Sequence, residues 1–157
     1  MADAYLTALR MLARREYSEH QIRERLTARE FEADEIGEAV ARLTEQRSLD
    51  DRRVAGAMAR LELLVRRHGR LRAERKMKEA GLAPSLIREA LDATLADTDA
   101  DALVAAALAR RLRHGQAIED DKHLQRLYRF LVGQGFGTGQ ALAALKRHRR
   151  TQPDEVD

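Results

Sequence analysis

A chain of 157 residues that is 44% apolar and 35% charged is by composition neither disordered nor membrane-spanning, and it suffices for one ordinary domain or a few small units sharing a core. Its long apolar runs, such as Ala102 to Ala109, fall far short of the roughly 20 residues a bilayer span needs. The lack of cysteine excludes disulfides, a thiol nucleophile and thiolate metal sites, and Met1 is not followed by a basic-then-apolar signal peptide, so a reducing cytoplasm is expected.

Tyr5 to Arg15 puts Tyr5, Leu9, Leu12 and Ala13 on one stripe, the period of a surface helix. Ser18 followed three residues on by Gln21 is a capping box that starts a second helix. Ile22 and Leu26 point that helix inward, Phe31 marks a turn, and a third helix from about Asp34 to Thr44 buries Ile36, Val40 and Leu43. Leu49-Asp50-Asp51 opens a new unit. Both aspartates lie where a helix N-terminus favours negative charge, and the sequence supplies no further ligands for acid–base or metal work, so they are read as caps.

A long helix is predicted from about Asp51 to Arg67, with Gly69 ending it. The next runs from about Leu71 to Ala80, with Ala73, Met77 and Ala80 on one side and Arg72, Arg75 and Lys76 on the other. Gly81 closes it, and Pro84 suits the first residue of the following helix. After the acidic joint near Asp97 to Asp101, residues Ala102 to Leu112 form a helix by propensity. Arg113 to Asp121, broken by Gly115, reads as a surface connection. Gly133, Gly135, Gly137 and Gly139 surround Phe136. They follow no strand and lack the lysine and hydroxyl of a nucleotide loop, so they are read as turn glycines.

The stretch Ala73 to Leu95 recurs 51 residues earlier, from Ile22, and 54 residues later, from Leu127. Six matched positions are apolar in all three copies: Ile22/Ala73/Leu127, Leu26/Met77/Leu131, Phe31/Leu82/Phe136, Ile36/Ile87/Ala141, Ala39/Ala90/Ala144 and Val40/Leu91/Leu145. The register survives the turn at Phe31, Leu82 and Phe136, which marks an internal repeat. The expected fold is all-α, a tandem, elongated or curved array of three three-helix units at residues 1–48, 49–97 and 98–150, followed by a frayed tail at 151–157.

The net charge of +3 hides an alternation. Glu30 to Asp51 holds eight acids against two bases, whereas Val65 to Lys78 holds seven bases against Glu74 alone. The bases Arg66, Arg67, Arg70, Arg72, Arg75, Lys76 and Lys78 are therefore candidates for binding an acidic partner or phosphates, with the C-terminal cluster Lys146, Arg147, Arg149 and Arg150 second. The histidines (His20, His68, His114, His123, His148) show no metal-ligand spacing and are read as polar surface residues. No serine sits in a nucleophile elbow. No catalytic residue, cofactor site or metal site is assigned, and no membrane or small-molecule partner is expected.

Ala8 to Leu26 (ALRMLARREYSEHQIRERL), then Leu49-Asp50-Asp51, then Ala80 to Leu91 (AGLAPSLIREAL), in that order, resemble the RecX regulators of bacterial recombination, over about Tyr5 to His148. The family's usual Gly-Tyr before Leu-Asp-Asp stands here as Arg47-Ser48, and its usual Phe as Val54. The resemblance implies a non-enzymatic, all-helical protein that binds the RecA recombinase filament on single-stranded DNA and inhibits its ATPase, strand-exchange and co-protease activities, hence a role in DNA repair and the SOS response. The alternative expectation is direct binding of single- or double-stranded nucleic acid by helix pairs.

Overall fold

The computed structural model describes residues 3–152, and every regular element among them is helical. In chain order these are α1 (Ala4–Arg14), α2 (Glu19–Ala28), α3 (Ala33–Glu45), α4 (Asp51–Arg60), α5 (Arg70–Glu79), α6 (Pro84–Ala96), α7 (Ala100–Arg111), α8 (Asp121–Gly133) and α9 (Thr138–Thr151). A π-helical stretch, Leu61–Val65, continues α4, and a 3-10 turn, Arg113–Gly115, follows α7. Two compact units divide the chain: Met1–Met58 with Lys76–Ala90, and Ala59–Arg75 with Leu91–Asp157. Of the tail expected at 151–157, Thr151 ends α9 and residues 153–157 lie outside the described residues.

In the first unit α1, α2 and α3 pack on one another around Ala8, Ile22, Leu26, Ile36, Val40, Leu43 and Leu49. The capping box at Ser18 forms: its hydroxyl accepts from the Gln21 N–H at 3.1 Å and the Gln21 side chain accepts from the Ser18 N–H at 3.0 Å. The two aspartates divide their work. Asp50 accepts from the N–H groups of Arg52 and Arg53, starting α4, whereas Asp51 accepts from the Glu19 N–H at 2.8 Å, at the start of α2. Burial pushes the Asp51 carboxyl above its ordinary value, a trend the Glu19 N–H opposes. In the second unit α7, α8 and α9 enclose a core that includes Val104, Leu108, Leu112, Leu127, Leu131, Phe136 and Leu145. Ile118 of the connection after α7 packs against it.

The eighteen side chains at the repeat-matched positions are buried, except Phe31 and Ala90, which are partly so. The three turns share one construction. The N–H of Phe31, Leu82 and Phe136 donates to the carbonyl of Leu26, Met77 and Leu131 at 3.2, 3.3 and 3.2 Å, and the residue before each is left-handed: Glu30 at φ +65°, Gly81 at +75°, Gly135 at +98°. This is the usual way to satisfy the last carbonyls of a helix.

The second and third turns also make a joint that the first does not. In the first unit the Ser18 hydroxyl donates to the Ala80 carbonyl, and a Cβ on Gly81 would lie 2.3 Å from the His20 side chain. The second unit repeats the arrangement at the offset positions. There the Gly69 N–H donates to the Gln134 carbonyl at 2.7 Å and the Leu71 N–H to the Gly135 carbonyl at 3.1 Å. Gly69 is thus not the helix terminator expected from sequence. Arg67, at φ +58°, is the left-handed residue, and Gly69 is small because a Cβ would sit 2.3 Å from the Gly135 carbonyl carbon. Phe31 differs from its counterparts: among the described residues its turn carries no such joint and its ring is only partly buried against the first core, whereas Leu82 and Phe136 are buried. Where the resembled family has glycine, Arg47 stands left-handed at φ +59°, and the Arg53 guanidinium donates to the carbonyls of Arg47 and Ser48. Val54 is buried.

Candidate functional site

The predicted basic stretch divides between the units. Arg66, Arg67, Arg70, Arg72 and Arg75 belong to the second, and Lys76 and Lys78 to the first. The expectation that most lack a local partner is corrected, because the partners come from outside the sequence window. Arg66 pairs with Glu62 at 2.8 Å and Arg70 with Asp92 at 2.6 Å. Arg72 donates to the Gln134 side chain at 3.3 Å beside the Gly135 joint, and Lys76 lies 3.6 Å from Glu79. Lys78 and Glu74 also have partners. Arg67 and Arg75 are left without a carboxylate among the described residues, and Arg75 is exposed.

The C-terminal cluster behaves alike. Arg147 pairs with Asp101 at 3.2 Å and Arg149 reaches Asp121 at 3.5 Å. Lys146 and Arg150, both exposed, make no ion pair with a described residue. Of the predicted cations, those without an ion pair to a described residue are therefore Arg67, Arg75, Lys146 and Arg150, all in the second unit and a shorter set than the sequence alone proposes. Exposed Leu61, Val65 and Leu71 flank the first two along the chain.

Two features escaped the sequence reading. Glu62 is 1% exposed. The π-helical stretch that carries it turns its carboxylate to Arg66 and to His68 Nδ1, 2.5 Å away, while the His68 N–H donates to the Glu62 carbonyl at 2.9 Å. His68 is therefore a largely buried partner of a buried carboxylate and not the surface residue expected. The only sequence signal is a charge at a position flanked by leucines in an otherwise apolar run. The second feature is a set of four arginines, Arg10, Arg14, Arg25 and Arg29, lining one cavity of the first unit with Tyr17. The signal for it was legible, since Arg10 and Arg14 on α1 are four residues apart, as are Arg25 on α2 and Arg29 at its C-terminal cap.

Among the described residues no cluster of His, Asp and Glu could hold a metal ion, and no helix is long and apolar enough to cross a membrane. All-helical three-helix repeats joined turn to cap define a helical-repeat protein. A family model for the RecX first three-helix domain matches residues 4–43. The chain is 38% identical to Regulatory protein RecX of Thermus thermophilus, over 91% of this chain and 90% of that protein. It is 32% identical to Regulatory protein RecX of Trichlorobacter lovleyi, over 86% and 88%. The crystal structure of RecX from Lactobacillus salivarius has the same fold, with a TM-score of 0.76, 17% identity and coverage of 92% of this chain and 94% of that one. The chain belongs to the RecX family.

Proposed function

We propose that this protein is a non-catalytic regulator that binds a RecA-type recombinase filament on single-stranded DNA and lowers its ATP hydrolysis, strand exchange and co-protease activity. The observation that carries the reading is 38% identity across 91% of the chain to a protein named for regulation. Its surface chemistry is compatible, since a partner that is itself wrapped around nucleic acid offers acidic groups to unpaired guanidinium and ammonium groups. We assign that contact to Arg67, Arg75, Lys146 and Arg150, because a cation already held by a carboxylate gains less from a second anion than one paired only with water. Exposed Leu71 and Val65 add apolar area beside Arg67 and Arg75.

The test is co-sedimentation with recombinase assembled on single-stranded DNA, alongside recombinase without DNA and DNA without recombinase. The chain should sediment with the assembled filament, and saturating amounts should lower its steady-state ATP hydrolysis. The triple variant Arg75→Glu, Lys146→Glu, Arg150→Glu should bind at least about tenfold more weakly while keeping the parent's helical circular dichroism, because exposed substitutions shift stability by under about 0.5 kcal/mol each. Unchanged filament ATP hydrolysis at saturation would refute the function. A triple variant that inhibits as well as the parent would refute the surface.

A further inference from the structure

We infer that the cavity between α1 and α2 is a phosphate site for a single-stranded nucleic acid. The inference stands apart from the recombinase reading, because it rests on a different part of the molecule and needs no other protein. The cavity measures about 270 Å³. One wall carries Arg10 and Arg14, the other Arg25 and Arg29, and Tyr17 lies between them in the chain with its ring in the lining. The guanidinium carbons of Arg15 and Arg25 each lie 4.6 Å from the centre of the Tyr17 ring.

Three observations separate this site from an ordinary solvated face. First, none of the four lining arginines makes an ion pair with a described residue, and no carboxylate lines the cavity. The neighbouring acids are engaged elsewhere: Glu16 with Arg53 at 2.9 Å, Glu19 with Arg23 at 2.9 Å and Glu24 with His20 at 3.1 Å. Secondly, like charges four residues apart on a helix repel, and here Arg10 and Arg14 on α1 share one concavity with Arg25 on α2 and Arg29 at its cap. The free protein keeps that repulsion, and a bound anion relieves it. Thirdly, the site is partly preorganised. The Tyr17 ring fixes the Arg25 head by a cation–π contact, and the Arg29 guanidinium donates to the Arg25 carbonyl at 3.2 Å.

The ligand class follows from the donors. Guanidinium is planar, weakly hydrated and matched to the oxygens of a phosphate. Each wall presents its two cations one helical turn apart, roughly 6 Å along the axis. A ladder of two facing pairs suits successive phosphates of a strand better than one isolated anion. No exposed ring is left for base stacking, because arginines flank Tyr17, so binding should be tolerant of base sequence.

The experiment is fluorescence anisotropy of the full-length chain with a labelled oligothymidylate over a series of salt concentrations, without recombinase. Arg14→Gln/Arg29→Gln removes one exposed cation from each wall. It should weaken binding at least about tenfold and flatten the slope of log affinity against log salt by about 1.4, two contacts at roughly 0.7 each for a single strand. Arg10→Gln alone should flatten it by about 0.7. Arg88→Gln, an equal charge change on α6, should leave the slope at the parent value. Equal slopes for the parent and the double variant, both folded by circular dichroism, would overturn the proposal. Micromolar ATP or pyrophosphate occupying the cavity while the oligonucleotide fails to bind would assign it to a free nucleotide and overturn it too.

Discussion

Gly69→Ala is the sharpest perturbation of this fold, because the added methyl has nowhere to go. Its carbon would lie 2.3 Å from the Gly135 carbonyl carbon, 2.4 Å from the Phe136 nitrogen and 2.5 Å from the Gly135 oxygen. All three are backbone atoms, so no rotamer change relieves the overlap, and the turn at Gln134 to Phe136 must move off the start of α5. That movement breaks the hydrogen bonds from Gly69 to Gln134 and from Leu71 to Gly135, at about 1 kcal/mol each. Overpacking adds about 1 to 3 kcal/mol, for a total of about 3 to 5 kcal/mol. In a chain of this size each kcal/mol lowers the midpoint by about 2 to 4 °C, so thermal unfolding followed by circular dichroism should show a drop of about 6 to 20 °C. Gly37→Ala is the control. A Cβ at that position in α3 meets nothing within 4 Å, and alanine in a helix interior should add about 0.5 to 1 kcal/mol. A Gly69→Ala protein melting within about 2 °C of the parent, on the order of a single kcal/mol or less, would refute the joint.

Phe136→Ala should cost about 3 to 5 kcal/mol because the ring is buried. Phe31→Ala should cost clearly less, which paired urea titrations would resolve. Arg47→Gly should stabilise by about 0.5 to 1 kcal/mol, since it frees a non-glycine residue from a left-handed conformation. An unchanged or lowered urea midpoint would contradict this. Glu62→Ala should cost about 1 to 3 kcal/mol by leaving the largely buried His68 without its acceptor, measured in the same way. Asp51 carries a pH signature. Its folded carboxyl titrates above the ordinary value of about 3.8, so the folded state holds the proton longer than the unfolded chain, and its contribution to stability falls as pH rises through that window. Asp51→Asn, whose amide oxygen can still accept from Glu19, should therefore gain on the parent as pH rises above about 4 and then level off. A gain independent of pH would count against the burial of that carboxyl.

What the sequence determined by itself is what short-range physics determines. The spacing of apolar residues set the helices and the inward positions of each repeat, the Ser18–Gln21 pair announced the start of α2, and Pro84 stands as the first residue of α6. The turn positions at Phe31, Leu82 and Phe136 were legible because the register carried through them. The tertiary structure alone decided which glycines matter and which charges are free. Gly69 reads locally as a helix terminator, and only the approach of the Gly135 backbone, 66 positions away in the chain, makes its missing Cβ necessary. Glu30 occupies the turn position that is glycine in the other two copies because no helix cap packs against that turn, so a side chain there meets solvent and bears only the left-handed strain. The basic stretch between Arg66 and Lys78 looks unpaired in a window of neighbours, yet Asp92 and Gln134 arrive from distant helices to hold two of its members. Ion pairing depends on distance in space, which falls off within a few ångströms, and a linear sequence records that distance only within one helical turn.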